Sequence, residues 1–287
     1  MGSNGWKMRR FICPIIGIFF LLHAWRPETA SANSLAIFRT SLGEMAVELF
    51  DDDKPLTVRN FILLSERGRY NNSFFHVDAA GVVAQGGGYW ISNPTSTSLV
   101  SLVGAVTPFG LITNEFNTGP IYSNLYGTIA MAKVAGNPDS ATVQWFFNLG
   151  NNPSFDIENG GYTVFGRVIA GTNVLEQFNT RSNGFGTVNG GGPFSLLPVT
   201  YIGTNSPRYN ELIYAWIEIL KLVITPNADD SRNLAWNSPT GLSCRIEFND
   251  GGAWDLLHLT NGNGAVQTIV DTNTTAPERI YRVRIGL

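Results

Sequence analysis

The feature that most constrains the fold is the length of the apolar runs beyond residue 33. They are short, and Gly, Asn, Asp or Pro bounds them. Such runs suit β-strands with turns between them. "SLAIFRTSLGEMAVELF" reads as a hairpin, with strands at 36–40 and 45–50 and a turn at Leu42-Gly43. Further strands are expected in "GTIAMAKV", "VQWFFNLG" and "YTVFGRVI". The 31 glycines and a charged content of only 14% point the same way.

Two stretches break the β pattern. In "DDDKPLTVRNFILLSERGRY", Asp52 or Asp53 suits a helix cap and Pro55 a first turn; Val58, Phe61, Ile62 and Ser65 share a face, and Gly68 ends the element. "GTNVLEQFNT" offers a second helix with Val174, Leu175 and Phe178 as its apolar face. The helices are expected at about 55–67 and 173–179. Two helices among about eight strands argue for a mainly β fold: a closed antiparallel barrel with its ends covered, since closure removes exposed edges.

The chain opens with Lys7, Arg9 and Arg10, then an apolar run from Phe11 to Leu22, then "ETASAN". A basic start, a short apolar core and a small-x-small exit read as a secretory signal peptide over residues 1–32, cut after Ala32. The apolar core is short for a membrane span, although an uncleaved anchor is the rival reading. Cys13 lies within it without a lipobox. Removing the segment takes away four basic residues and one acidic one, so the formal charge of -3 becomes -6. The mature chain then has no basic stripe for nucleic acid. It is expected to be exported, periplasmic or extracellular. Cys244 is the one cysteine left, which reads as a small buried residue. One of the three histidines, His23, falls in the signal, which argues against a metal site.

Beyond the barrel, "ELIYAWIEILKLVIT" fits a helix or a strand. Alternation of Ile213, Ala215, Ile217 and Ile219 favours a strand that closes the barrel. Past Pro226 come "NLAWNS", "SCRIEFND", "WDLLHLT", "VQTIVDT" and "RIYRVRIGL". Cys244, Ile246 and Phe248 alternate with Ser243, Arg245 and Glu247, as half-buried strands do. These read as a small β-sandwich-like module over 226–287, distinct from a barrel unit over 34–222. Its "PERIYRVRIGL" ending is similar to C-terminal β modules of exported bacterial proteins, which implies an accessory role, docking to a surface or another protein.

The order "ELFDDDKPLTVRNFILL", "Y..SFFH", "QGG", "ITNEF...SNLYGTIAMAK", "DSATVQWFFNLGNNPSFD", "GGYTVFGRV" resembles a cyclophilin-type peptidyl-prolyl isomerase of the bacterial exported kind. The resemblance implies an eight-stranded barrel, proline-containing polypeptides as partners, and neither cofactor nor metal. It implies that Phe146 floors a proline pocket walled by Val82, Val83 and Phe155. Gln85 would hold the substrate backbone, and Ala132 and Gln144 would line the adjoining groove. Tyr162 and Lys133 match bacterial members, with Lys133 on the rim, and His76 would support the site from behind. One position departs. After Phe75-His76 the family places an arginine aimed at the proline nitrogen, and here stands Val77. Losing one transition-state donor costs about 2.7–4 kcal/mol.

An X-Pro bond rotates over a barrier of about 18–20 kcal/mol, and no covalent step is needed to lower it. The expected function is therefore a slow isomerase assisting the folding of exported proteins. The alternative is a non-catalytic proline-peptide-binding module on the same barrel. A third class, a surface protein with the barrel as a spacer, requires the space around Phe146 to be filled.

Overall fold

The computed structural model describes residues 34–286 apart from 182–183, 202, 204–205, 221, 239–240 and 274–278. The expected signal segment, with Cys13 and His23, lies outside the described residues.

Strands β1 (Leu35–Thr40) and β2 (Gly43–Leu49) form the expected hairpin. Helix α1 (Pro55–Glu66) has Pro55 in its first turn and buries Thr57, Val58, Phe61 and Leu64. Neither Asp52 nor Asp53 is its N-cap, which is Lys54 and makes no side-chain capping bond. Instead the carboxylate of Glu115 accepts the N–H groups of Leu56 and Thr57 at 3.0 and 2.8 Å. A residue far along the chain thus satisfies orphan donors at the positive end of the helix.

The chain continues through β3 (Val77–Ala79), β4 (Val83–Gly86) and a small ribbon of β5 (Tyr89–Trp90) with β6 (Gly104–Ala105). Then come β7 (Thr128–Met131), β8 (Trp145–Asn148), β9 (Val164–Ala170) and helix α2 (Asn173–Thr180), followed by the paired β10 (Gly186–Val188) and β11 (Leu197–Val199) and by β12 (Trp216–Leu220). Eight of these strands make one antiparallel sheet in the order β12-β1-β2-β9-β7-β8-β4-β3. The sheet curls around a core containing Phe38, Phe75, Trp145, Phe147 and Phe165, into which α1 and α2 insert Phe61 and Phe178. At its two ends, the residues before β3 and β12 meet. The Phe75 N–H donates to the Ile213 carbonyl and the Ala215 N–H to the Ser73 carbonyl, each at 2.9 Å.

The run expected to be one strand closing the barrel is two. After β12, β13 (Leu222–Pro226) leaves for a different sheet. With β14 (Arg232–Asn237), β15 (Ser243–Asn249), β16 (Asp255–Asn261), β17 (Val266–Asp271) and β18 (Ile280–Gly286), it builds two three-stranded sheets, β13-β14-β17 and β16-β15-β18. Leu234 and Trp236 of one pack with Cys244 and Ile246 of the other. Burial raises the pKa of the Cys244 thiol, which leaves it a packing residue. Glu247, on the opposite face of β15, is only 5% exposed because Arg245 and Arg282 cover it at 3.3 and 2.7 Å. Leu242, in the connection between β14 and β15, packs against Ile37, Ala46 and Ala170 of β1, β2 and β9.

Candidate active site

Strand β8 decides where a site forms. Alternation along the pleat sends Trp145 and Phe147 into the main core and Phe146 to the opposite face. Register then extends a single row over five strands: Val77, Gln85, Phe146, Ala130 and Val164. Phe146, Ala130, Val164 and Phe50 form a separate small core on this face. Phe155 and Tyr162 lean on it, and the three rings of Phe146, Phe155 and Tyr162 meet with centroids 5.2–5.7 Å apart.

These rings wall a cavity of about 250 Å³. Eight of the residues singled out in the sequence line it: Val83, Gln85, Ala132, Lys133, Gln144, Phe146, Phe155 and Tyr162. Gln85 is held in place, since its Nε2 donates to Gln144 Oε1 at 2.6 Å. His76 lies behind it, 2% exposed, with Nε2 3.5 Å from Gln85 Nε2 and its ring edge-on to Tyr89. Burial lowers its pKa to about 4, against a hydrogen bond with Gln144 that opposes the shift. The imidazole is therefore neutral at pH 7.

Two further positions singled out in the sequence, Val82 and Val77, do not line the cavity. Val82 and Val83 are consecutive, so a strand can turn only one of them to the cavity. Val83 takes that place, and Val82 sits at the turn closed by its N–H on the Ala79 carbonyl, 40% exposed. Val77 is half-buried beside its register partner Gln85, outside the cavity wall. Two cations that could stand in for the missing donor are engaged elsewhere. Arg69 lies over the Phe109 ring at 5.5 Å. Lys133 Nζ donates to the carbonyls of Asn159 and Gly161 at 2.8 and 2.6 Å, and burial lowers its pKa.

Sequence reasoning missed Val134, Ser140 and Thr142, which also line the cavity. The signal for two of them was present. Counting back from Phe146 by twos gives Gln144, Thr142 and Ser140, the same face of an extended chain. The run Gly86-Gly87 after Gln85 has a steric reason. A Cβ at Gly86 would lie 2.5 Å from the Trp145 ring, and Gly87, at φ +76°, faces the same indole.

Residues 35–192 match the family model described as cyclophilin type peptidyl-prolyl cis-trans isomerase/CLD. The chain belongs to this family. A peptidyl-prolyl cis-trans isomerase from Acinetobacter baylyi is 33% identical over 150 residues, covering 52% of this chain and 73% of that protein. Peptidyl-prolyl cis-trans isomerase B of Escherichia coli is 32% identical over 155 residues, covering 52% of this chain and 87% of that protein. A crystal structure of a Cryptosporidium parvum cyclophilin type isomerase aligns with 65% of this chain and 97% of its own at 22% identity, with a TM-score of 0.45. The cyclophilin match spans β1 to β10 and the whole Phe146 row, while β11, β12 and the two C-terminal sheets lie beyond it.

Proposed function

We propose that this chain is an exported peptidyl-prolyl cis-trans isomerase for proline-containing polypeptides, slowed by Val77. The observation that carries the reading is the open three-ring cavity over Phe146 with the carboxamides of Gln85 and Gln144 on its edge. A proline ring fits against Phe146, Phe155 and Tyr162 by burial of its apolar surface. Gln85, tethered through Nε2, offers its carboxamide to the substrate backbone. Rotation needs the bound geometry to favour the twisted bond over the planar one. A donor to the proline nitrogen would supply most of that preference, and the Val77 side chain has no donor. The space around Phe146 is open, which counts against the spacer reading.

The runner-up, a non-catalytic binder of proline peptides, is favoured by the same valine and by the engagement of Lys133 with carbonyls. The two separate in one experiment: isomerisation and binding of a proline peptide by the protein and by Phe146→Ala. Measurable turnover that Phe146→Ala abolishes supports the isomerase. Binding without turnover supports the binder, and absence of both contradicts each.

The meeting of Phe75 with Ile213 supports reading the curled sheet as a closed barrel. That β13–β18 lie beyond the family match supports reading the 226–287 segment as an accessory module that docks to a surface or another protein. Export rests on the basic and apolar N-terminal sequence.

A further inference from the structure

We propose that a second cavity, built by the 100–103 and 206–212 segments, is a binding site for a neutral group consisting of one apolar ring. The cavity measures about 270 Å³ and shares no lining residue with the Phe146 site. Phe74, Val100, Val103, Phe194, Leu197 and Leu212 form its walls, and among the described residues no charged side chain lines it. Close-packed interiors leave few voids larger than a water molecule, and an apolar cavity of roughly 150 Å³ takes up benzene. The space here admits a substituted ring, and the hydroxyl residues Ser101 and Ser206 on its lining can meet a polar substituent.

The opening is framed rather than loose. The Tyr209 hydroxyl accepts the N–H groups of Ser101 and Leu102 at 3.2 and 3.1 Å, and the Val100 N–H donates to the Pro207 carbonyl at 2.9 Å. Leu102, between two lining residues, is 79% exposed, so the apolar surface continues outward. An uncharged lining excludes ionised ligands through their desolvation cost. The shared chemistry, a neutral ring, can come from a free phenol-like molecule or from an aromatic side chain of a polypeptide.

The test is a titration of the full chain, labelled at Val and Leu methyls, with p-cresol, with benzylammonium, and with a proline-free acetyl-Gly-Phe-Gly amide. Saturable shifts at Val100, Val103, Leu197 and Leu212 are expected with p-cresol and not with the charged benzylammonium. Val103→Phe places a ring in the cavity and should weaken p-cresol at least about tenfold. The benzylammonium comparison keeps the test valid if that variant does not fold. Binding of p-cresol alone identifies a free molecule as the source, and binding of the peptide identifies a side chain. No saturation with either, equal binding of benzylammonium, or shifts confined to Val83 and the Phe146 cavity would overturn the proposal.

Discussion

Asp78 and His76 flank Val77, both buried, and burial moves their proton equilibria in opposite directions. Burial raises Asp78 from 3.8 to about 6, partly offset by Arg181, whose Nε lies 3.3 Å from Oδ2. Burial lowers His76 from 6.5 to about 4. Between pH 3.8 and 6, folded Asp78 keeps a proton that the unfolded chain has released. Its contribution is present below pH 3.8 and is lost as pH rises through about 6, a fall of about 3 kcal/mol. His76 does the reverse. The unfolded chain binds a proton that the folded imidazole refuses, so stability is present above pH 6.5 and is lost as pH falls through about 4, again by about 3 kcal/mol. The two slopes nearly cancel in the native protein. Asp78→Asn removes only the first. Its unfolding free energy is expected to climb by about 3 kcal/mol from pH 4 to pH 6.5 and to exceed that of the native protein at pH 7 by about 3 kcal/mol. The Arg181 pair is already contained in this figure, since the pKa of about 6 is reached against its attraction, and Arg181, with its side chain 39% exposed, remains solvated. Urea unfolding at pH 4, 5.5 and 7, followed by tryptophan fluorescence, reads this directly. An Asp78→Asn variant with the native slope, or one less stable than the native protein at pH 7, would refute the reasoning.

Three further outcomes are expected. Gly87→Ala, at φ +76° with a Cβ 2.5 Å from Trp145 Nε1, should lose at least about 2 kcal/mol in urea unfolding; a neutral effect would show that the backbone just after β4 does not press on the indole. Lys54→Met should lose about 3 kcal/mol, because the buried ammonium donates to the carbonyls of Glu115, Phe116, Thr118 and Pro120; limited proteolysis should then open the 115–120 segment. N-terminal sequencing of the native protein should begin near Asn33, and an intact Met1 start from the cytosol would contradict export.

Short-range patterns made much of this fold legible. The first hairpin, the Pro55 start and the Val174/Leu175/Phe178 face are local signals, and the structure follows them, although the hairpin turn falls at Ser41-Leu42, one residue earlier than expected, with Gly43 opening β2 opposite Thr40. What escaped were features set by distant partners. Glu115 reaches Leu56 and Thr57 across 59 and 58 residues, so no window of sequence around the helix contains its cap. The separation of β12 from β13 is equally hidden, because an unbroken alternating run does not show which sheet each half will join. At the site, the pattern of the aromatic run Trp145-Phe146-Phe147 does not itself show which ring faces out; the resemblance singled out Phe146, and register places it beside Gln85. Val82 escaped because its place at the β3–β4 turn, rather than its residue type, sets its exposure.

The central claim is that this cyclophilin site retains its pocket and lacks its donor at Val77. The most direct test is the isomerisation rate of a proline peptide, measured with its affinity, for the native protein beside Val77→Arg. The reading predicts an affinity that changes little and a rate per bound complex that rises by up to about 10²–10³, the scale of one recovered donor. A native protein that already turns over as fast as Val77→Arg would contradict it.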